Sequence, residues 1–165
     1  ASTLGYPAAT MSCHVANHSD SALNPRKLEF GYHVALGGAL GYEFNVLHMP
    51  EEVRKSLREQ IKEYRVYEPL ILRGDLYRLL APSSGAYAYY FAAKDGSAIL
   101  LSYIQAKGDP KQTARRLRIA AADKNASYVC TQGGKTYTGE ELRYGITVTA
   151  CTEDEYSRIW HFVRK

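Results

Sequence analysis

The chain of 165 residues is short of cysteine, of long apolar runs and of any excess of one charge, and each shortage excludes something. Its three cysteines, Cys13, Cys130 and Cys151, form no C-x-x-C pair and no Cys/His spacing that suits zinc. An odd number in a chain of this size argues against a disulfide scaffold and points to a reducing compartment, with the cytoplasm as the expected location. No apolar run is long enough to cross a bilayer, and no basic start with an apolar centre marks a signal peptide, so no membrane partner is expected. The net charge is only +4, with Lys and Arg interleaved among acids. The densest positive spot, Arg115, Arg116 and Arg118, reads as solvated positions of one exposed strand, so no nucleic-acid partner is expected. The chain begins with Ala1, which reads as a start inside a longer protein.

What is present is the material of a folded protein. Apolar residues make up 45% and charged residues 23%, which excludes a disordered chain. Tyrosine is abundant, 14 residues, and favours strands, where aromatic rings fit a pleated and half-buried surface. Residues 9–15 read as a short buried strand, and Asn17 to Ser21 and Asn24-Pro25 as loop. Residues 32–36 and 42–46, punctuated by Gly37-Gly38 and Gly41, read as buried strands of a parallel sheet. The clearest helix opens at Pro50, with Glu51 and Glu52 where negative charge suits a helix start. Val53, Leu57, Ile61 and Tyr64 share one face of it, and Pro69 predicts its end at Glu68.

Beyond Gly74 the pattern changes to short strands. Residues 87–94 and 97–105 flank Asp95-Gly96, read as a two-residue hairpin link; residues 128–132 and 135–137 flank Gly133-Gly134. Residues 76–80, 115–120 and 157–164 add further strands, the last carrying the only tryptophan, Trp160. The chain therefore divides near Gly74 into a mixed α/β part, residues 1–73, and an all-β antiparallel sandwich, residues 74–165.

Several stretches carry a family resemblance. Tyr6-Pro7 followed by Met11-Ser12-Cys13-His14-Val15 resembles a Y-P…M-G-x-H-V segment, and Asn17-His18 with Arg26 resembles an N-H…R loop. Gly38-Ala39-Leu40-Gly41-Tyr42-Glu43-Phe44-Asn45 is similar to G-x-[LF]-G-Y-E-[LF]-[DN], the most specific of the set. Gly74-Asp75-Leu76-Tyr77-Arg78-Leu79 and Gly134-Lys135-Thr136-Tyr137-Thr138-Gly139-Glu140-Glu141-Leu142 resemble two further signatures. In this order they resemble glycoside hydrolase family 36, the microbial α-galactosidases. The chain departs from the pattern at Ser12, where the family usually has Gly, and at Ala16, where it has Pro.

The resemblance implies that residues 1–73 are the last β/α units of a (β/α)8 catalytic barrel. Residues 74–165 would be the C-terminal antiparallel Greek-key β-sandwich. It implies α-galactosides as the partner, bound through a barrel that lies mostly upstream, no cofactor, and homo-oligomers, which are common in the family. A retaining glycosidase needs two carboxyl groups about 5–5.5 Å apart, one a nucleophile and one an acid/base. In the family these are the Asp of K-W-D and the second Asp of S-D-x-x-D. Neither motif occurs in this sequence, so no catalytic residue is expected here and the chain alone is expected to be inactive. Asp20, Glu29, Glu43 and Asp75 are the carboxylates in or near the barrel-like part. Asp20 reads as a turn residue and Glu43 as the partner of a salt bridge or backbone bond within a buried run.

His14, Asn17 and His18 are the candidate sugar-pocket residues, at the end of the barrel strands where such enzymes place their sites. The alternative is a polar network supporting the barrel end. A metal on His14 and His18 is not expected, because the stretch reads as strand and loop and lacks the Glu of H-E-x-x-H. A second function class remains open: a non-catalytic carbohydrate-binding or oligomerisation module, with Tyr87 and Tyr89 stacking on sugar rings. Alternation puts Tyr87, Tyr89 and Phe91 on one face and Tyr90 on the other, so much of this surface is expected to be packing.

Overall fold

The computed structural model describes residues 6–16, 24–81 and 85–165, and the chain forms two compact units, Ala1–Arg73 and Gly74–Lys165. In the first, a turn of 3-10 helix at Ala8–Thr10 leads into strand β1, Ser12–Ala16. Helix α1, Pro25–Ala35, strand β2, Ala39–Glu43, and helix α2, Glu51–Arg73, follow. Strands β1 and β2 pair in parallel, His14 opposite Gly41 and Ala16 opposite Glu43. A parallel pair cannot be joined by a tight turn, and α1 supplies the crossover.

Three expectations fail here, one being the buried strand over 42–46: β2 ends at Glu43, and Val46–His48 form a turn of 3-10 helix with Val46 exposed. Asn24-Pro25 is a helix start and not a loop: the Asn24 side chain accepts from the N–H groups of Arg26 and Lys27 at 3.0 and 3.3 Å. Pro25 stands at the first helical position, where no N–H is needed. The expected strand at 32–36 is accordingly the last turn of α1 and its cap. Leu28, Tyr32, Ala35 and Leu36 recur at helical spacing and are all buried. The short apolar burst imitated a strand because its helical partner, Leu28, lies before it.

Helix α2 runs through Pro69 to Arg73 and does not stop at Glu68. Proline cannot donate to the carbonyl of Arg65, a cost of about 3 kcal/mol in a helix interior. Tyr67, Leu70 and Ile71 flank it and are buried. Burying each stabilises by about 1.5–3 kcal/mol, enough to carry the helix past the break. Val53, Leu57 and Tyr64 are buried as expected, whereas Ile61 is 41% exposed.

The second unit holds β3, Asp75–Leu80; β4, Ala86–Ala92; β5, Ala98–Gln105; β6, Ala114–Leu117; and β7, Ser127–Cys130. Strand β8, Thr136–Thr138, helix α3, Gly139–Tyr144, strand β9, Ile146–Thr149, and strand β10, Tyr156–Arg164, complete it. Six strands form one antiparallel sheet in the order β3-β4-β5-β10-β7-β8, and β6 pairs with β9 in a second. Leu117 and Val148 from the small sheet share a core with Tyr90, Leu101, Tyr103, Tyr128, Trp160 and Phe162 from the large one, the arrangement of a β-sandwich.

The C-terminal strand β10 sits inside the large sheet, with Trp160 opposite Leu101 and Phe162 opposite both Ile99 and Cys130. The β4–β5 hairpin forms around Asp95-Gly96, but its link is longer than two residues. Ala93 N–H donates to Ala98 O at 2.9 Å, leaving residues 94–97 as the loop. Gly96, at φ +71°, and the Asp95 carboxylate, accepting from Ser97 N–H at 3.0 Å, close it. Tyr90 faces the core; Tyr87 and Tyr89 are half-buried on the opposite side with rings 6.3 Å apart, and Phe91 beside them is buried.

Candidate functional site

The two faces of the β1/β2 pair differ in chemistry, because strand residues alternate sides. Cys13, Val15, Leu40 and Tyr42 share one face. Helix α1 meets it at Val15, whose side chain approaches Gly31, and α2 meets it at Tyr42, whose hydroxyl donates to Gln60 Oε1 at 2.9 Å. Tyr64 of α2 adds a hydroxyl that accepts from Leu40 N–H at 3.2 Å. Burial raises the Cys13 thiol above its ordinary range, so it is no ready nucleophile.

The other face carries Ser12, His14, Ala16, Ala39, Gly41 and Glu43, by the parallel register. Ser12, His14 and Glu43 are exposed. They form one chain of contacts: His14 Nδ1 is paired with Glu43 Oε1, and His14 Nε2 lies 2.5 Å from Ser12 Oγ. An ionised carboxylate only accepts, so Nδ1 carries the proton and donates to Glu43. With the ring neutral, Nε2 is then an acceptor and takes the Ser12 hydroxyl proton; with the ring charged, Nε2 donates to Ser12 Oγ. The imidazole is thus held at both nitrogens, and when neutral it is the Nδ1–H tautomer. Gly41 makes room for it: a Cβ at that position would stand 2.6 Å from His14 Cδ2, inside the ring's van der Waals surface.

The arrangement can orient a histidine and pass a proton along Ser12, His14 and Glu43. Among the described residues this face holds a single carboxylate, so it offers no acid and nucleophile pair. Of the predicted site residues, His14 stands on this face, whereas Asn17 and His18 lie outside the described residues, as does Asp20. Glu43 is exposed, not buried as its sequence setting suggested, and its partner is His14. Glu29 is exposed on α1, and Asp75 is the exposed first residue of β3, opposite Ala92. Ser12 was missed as a site residue. The available signal was its position two before His14 in a strand, which puts both on one side.

Comparison with known proteins places both units in one context. Residues 1–74 match the family model described as Melibiase, and residues 86–162 match that of the glycosyl hydrolase family 36 C-terminal domain. Alpha-galactosidase C of Emericella nidulans is 36% identical over 157 residues, covering 92% of this chain and 20% of that protein. The bifunctional alpha-galactosidase/sucrose kinase AgaSK of Mediterraneibacter gnavus is 28% identical, over 90% of this chain and 16% of its own. The crystal structure of the GH36 alpha-galactosidase AgaA from Geobacillus stearothermophilus superposes with a TM-score of 0.87 at 27% identity, over 99% of this chain and 23% of that one. A variant of the same enzyme in complex with raffinose gives 0.86 at 28% identity, with the same coverage. The chain spans about a fifth of the length of the curated relatives it matches.

Proposed function

The chain belongs to glycoside hydrolase family 36, and from that premise we propose that it is the C-terminal part of a retaining α-galactosidase that removes terminal α-linked galactose from oligosaccharides. Residues 1–73 are then the closing β/α units of the (β/α)8 barrel, and residues 74–165 a Greek-key sandwich. The observation that carries this reading is the two-faced β1/β2 pair. Both helices lie on its apolar side, as they would on the outside of a barrel, and its Ser12, His14 and Glu43 side is open, as an interior wall would be before the other strands close over it.

In this role the chain supplies positioning and not the chemical step. The nucleophile and the acid/base come from upstream strands, and His14, with Asn17 and His18 beyond the end of β1, lines the sugar pocket. Glu43 and Ser12 occupy both nitrogens of the His14 ring and fix it, so the ring meets the sugar with its edge. The second oxygen of Glu43 and the Ser12 hydroxyl oxygen remain to meet sugar hydroxyls without reorganisation. The family relatives, all α-galactosidases among those compared, support the substrate class. A reducing, cytoplasmic setting is part of the proposal, on the odd number of cysteines in the sequence.

Hydrolysis of an aryl α-galactoside tests the reading. The chain alone is expected to release no aryl alcohol, and the whole enzyme, with its upstream barrel, to turn the substrate over. Turnover by the isolated chain would overturn it. In the whole enzyme, His14→Ala is expected to lower kcat/KM by about 10²-fold, the scale of a misplaced positioning group, with Glu43→Gln falling between it and the wild type.

A further inference from the structure

The second unit contains an open groove of about 690 Å³ between α3, β8 and β9, lined by Lys135, Tyr137, Glu140, Glu141, Tyr144 and Thr147. Its size is within the range of small-ligand sites, about 300–1,000 Å³. Its two aromatic rings are held in place. The Arg116 guanidinium lies 4.3 Å from the centre of the Tyr144 ring, and the Lys135 ammonium 4.6 Å from that of Tyr137. The core residue Phe162 meets Tyr137 edge-on, with centroids 5.6 Å apart and ring planes at 89°. Tyr144 is nonetheless 65% exposed, so a ring clamped by Arg116 on one face leaves its other face to solvent.

The local fold explains why this ring is presented. Thr138 and Glu141 form a capping box that starts α3, and Gly145, at φ +116°, ends it one turn and a half later. A Cβ on Gly145 would stand 2.7 Å from Arg116 Cγ, so glycine lets the helix end close down on β6 and bring Tyr144 over Arg116. Glu141 uses one carboxylate oxygen to accept from Thr138 N–H at 2.7 Å, while the Glu140 carboxylate has no partner among the described residues.

We propose that this groove is a non-catalytic site for a galactosyl unit of an oligosaccharide. The inference rests on the reading of the protein as part of an α-galactosidase, and adds to it a second sugar contact outside the barrel. A rigid, solvent-facing aromatic ring stacks on the C–H face of a pyranose. Galactose suits it because its axial 4-hydroxyl leaves the hydrogens on C3, C4 and C5 together on one side. The uncommitted Glu140 carboxylate accepts from a vicinal pair of hydroxyls, and Lys135 donates to a ring or hydroxyl oxygen. The groove thus combines donors, acceptors and an apolar plate, the combination a neutral polyhydroxyl ligand requires. It also moves the expected sugar platform away from Tyr87 and Tyr89, which are half-buried.

Raffinose is titrated into the full 165-residue chain, with sucrose, which lacks the galactosyl unit, as control. Amide chemical shifts are followed, and turnover of an aryl α-galactoside by the whole enzyme is measured alongside. The expected result is saturable raffinose binding with shifts centred on 135–147, about tenfold weaker in Tyr144→Ala and weakened less in Glu140→Gln, while sucrose leaves the groove unmoved. Trp160 fluorescence unfolding curves check that both variants fold. No raffinose shifts in the groove, equal shifts with sucrose, or binding unchanged in Tyr144→Ala would each overturn the proposal. If the whole enzyme hydrolyses the aryl galactoside and the groove stays silent, the groove assignment fails and the enzymatic reading stands. If the groove binds and the whole enzyme does not hydrolyse, the reverse holds.

Discussion

The two units solve the problem of burying strands in opposite ways. In the second, β5 and β10 each have a hydrogen-bonded neighbour on both sides, and two sheets share one core. In the first, among the described residues, β1 and β2 pair only with each other, and one of their faces is open and polar. The two-stranded sheet has its helices on one side only, whereas the two sheets of the sandwich enclose a core between them. The difference teaches where the chemistry lies. The first unit exposes a histidine held between Ser12 and Glu43, and the second spends its aromatic residues mainly on packing.

This contrast can be tested through stability. The largest effect is expected from Phe162→Ala, because Phe162 is fully buried at the centre of the sandwich. It should destabilise the second unit by about 4 kcal/mol, read as a shift of the Trp160 fluorescence transition in urea. The far-UV helix signal, which comes mostly from α1 and α2, should shift less. Equal shifts would break the comparison by making the two units a single cooperative body.

The next effect is expected in acid. His33 of α1 is buried, and burial lowers its pKa from 6.5 to about 4. Between these values the unfolded chain binds a proton that the folded chain excludes, so stability falls as the pH is lowered through the window from about 6.5 to about 4. The loss should reach about 3 kcal/mol. His161 in the second unit is lowered in the same direction by burial. Urea curves at pH 7 and pH 4 should show the helix signal losing stability, and His33→Gln should flatten that dependence. An unchanged dependence in the variant would assign the acid loss to other groups.

The smallest effects compare like with like. Asn24→Ala removes the cap of α1, and Thr138→Ala that of α3, each at a cost of about 1 kcal/mol. The first should move the helix signal and the second the Trp160 transition. If Thr138→Ala also weakens raffinose binding, the capping box is shown to hold the groove in shape.

Much of the second unit was legible along the chain. Strands β4, β5, β7 and β10 coincide within a few residues with the alternating runs, since antiparallel neighbours and tight glycine turns leave local marks. Helix α3 left none, being too short for a helical period, although its Thr138 and Glu141 spell a capping box. In the first unit the reading went wrong where local and distant terms compete. Tyr32 to Leu36 looks like a strand in isolation, and Pro69 looks like a stop.

For the site, His14 could be singled out from its motif, but its partner Glu43 is 29 positions away, and only the parallel register brings them together. The sequence by itself determined the division of chemistry: which residues could be apolar walls, which turns must be glycine, and that no K-W-D or S-D-x-x-D stands in these 165 residues. Tertiary structure alone decided that α2 passes Pro69, that Ser12 and Glu43 bracket one imidazole, and that Tyr144 rather than Tyr87 faces solvent. These outcomes depend on contacts between segments far apart in the chain, whose energies exceed the local preferences that a sequence displays.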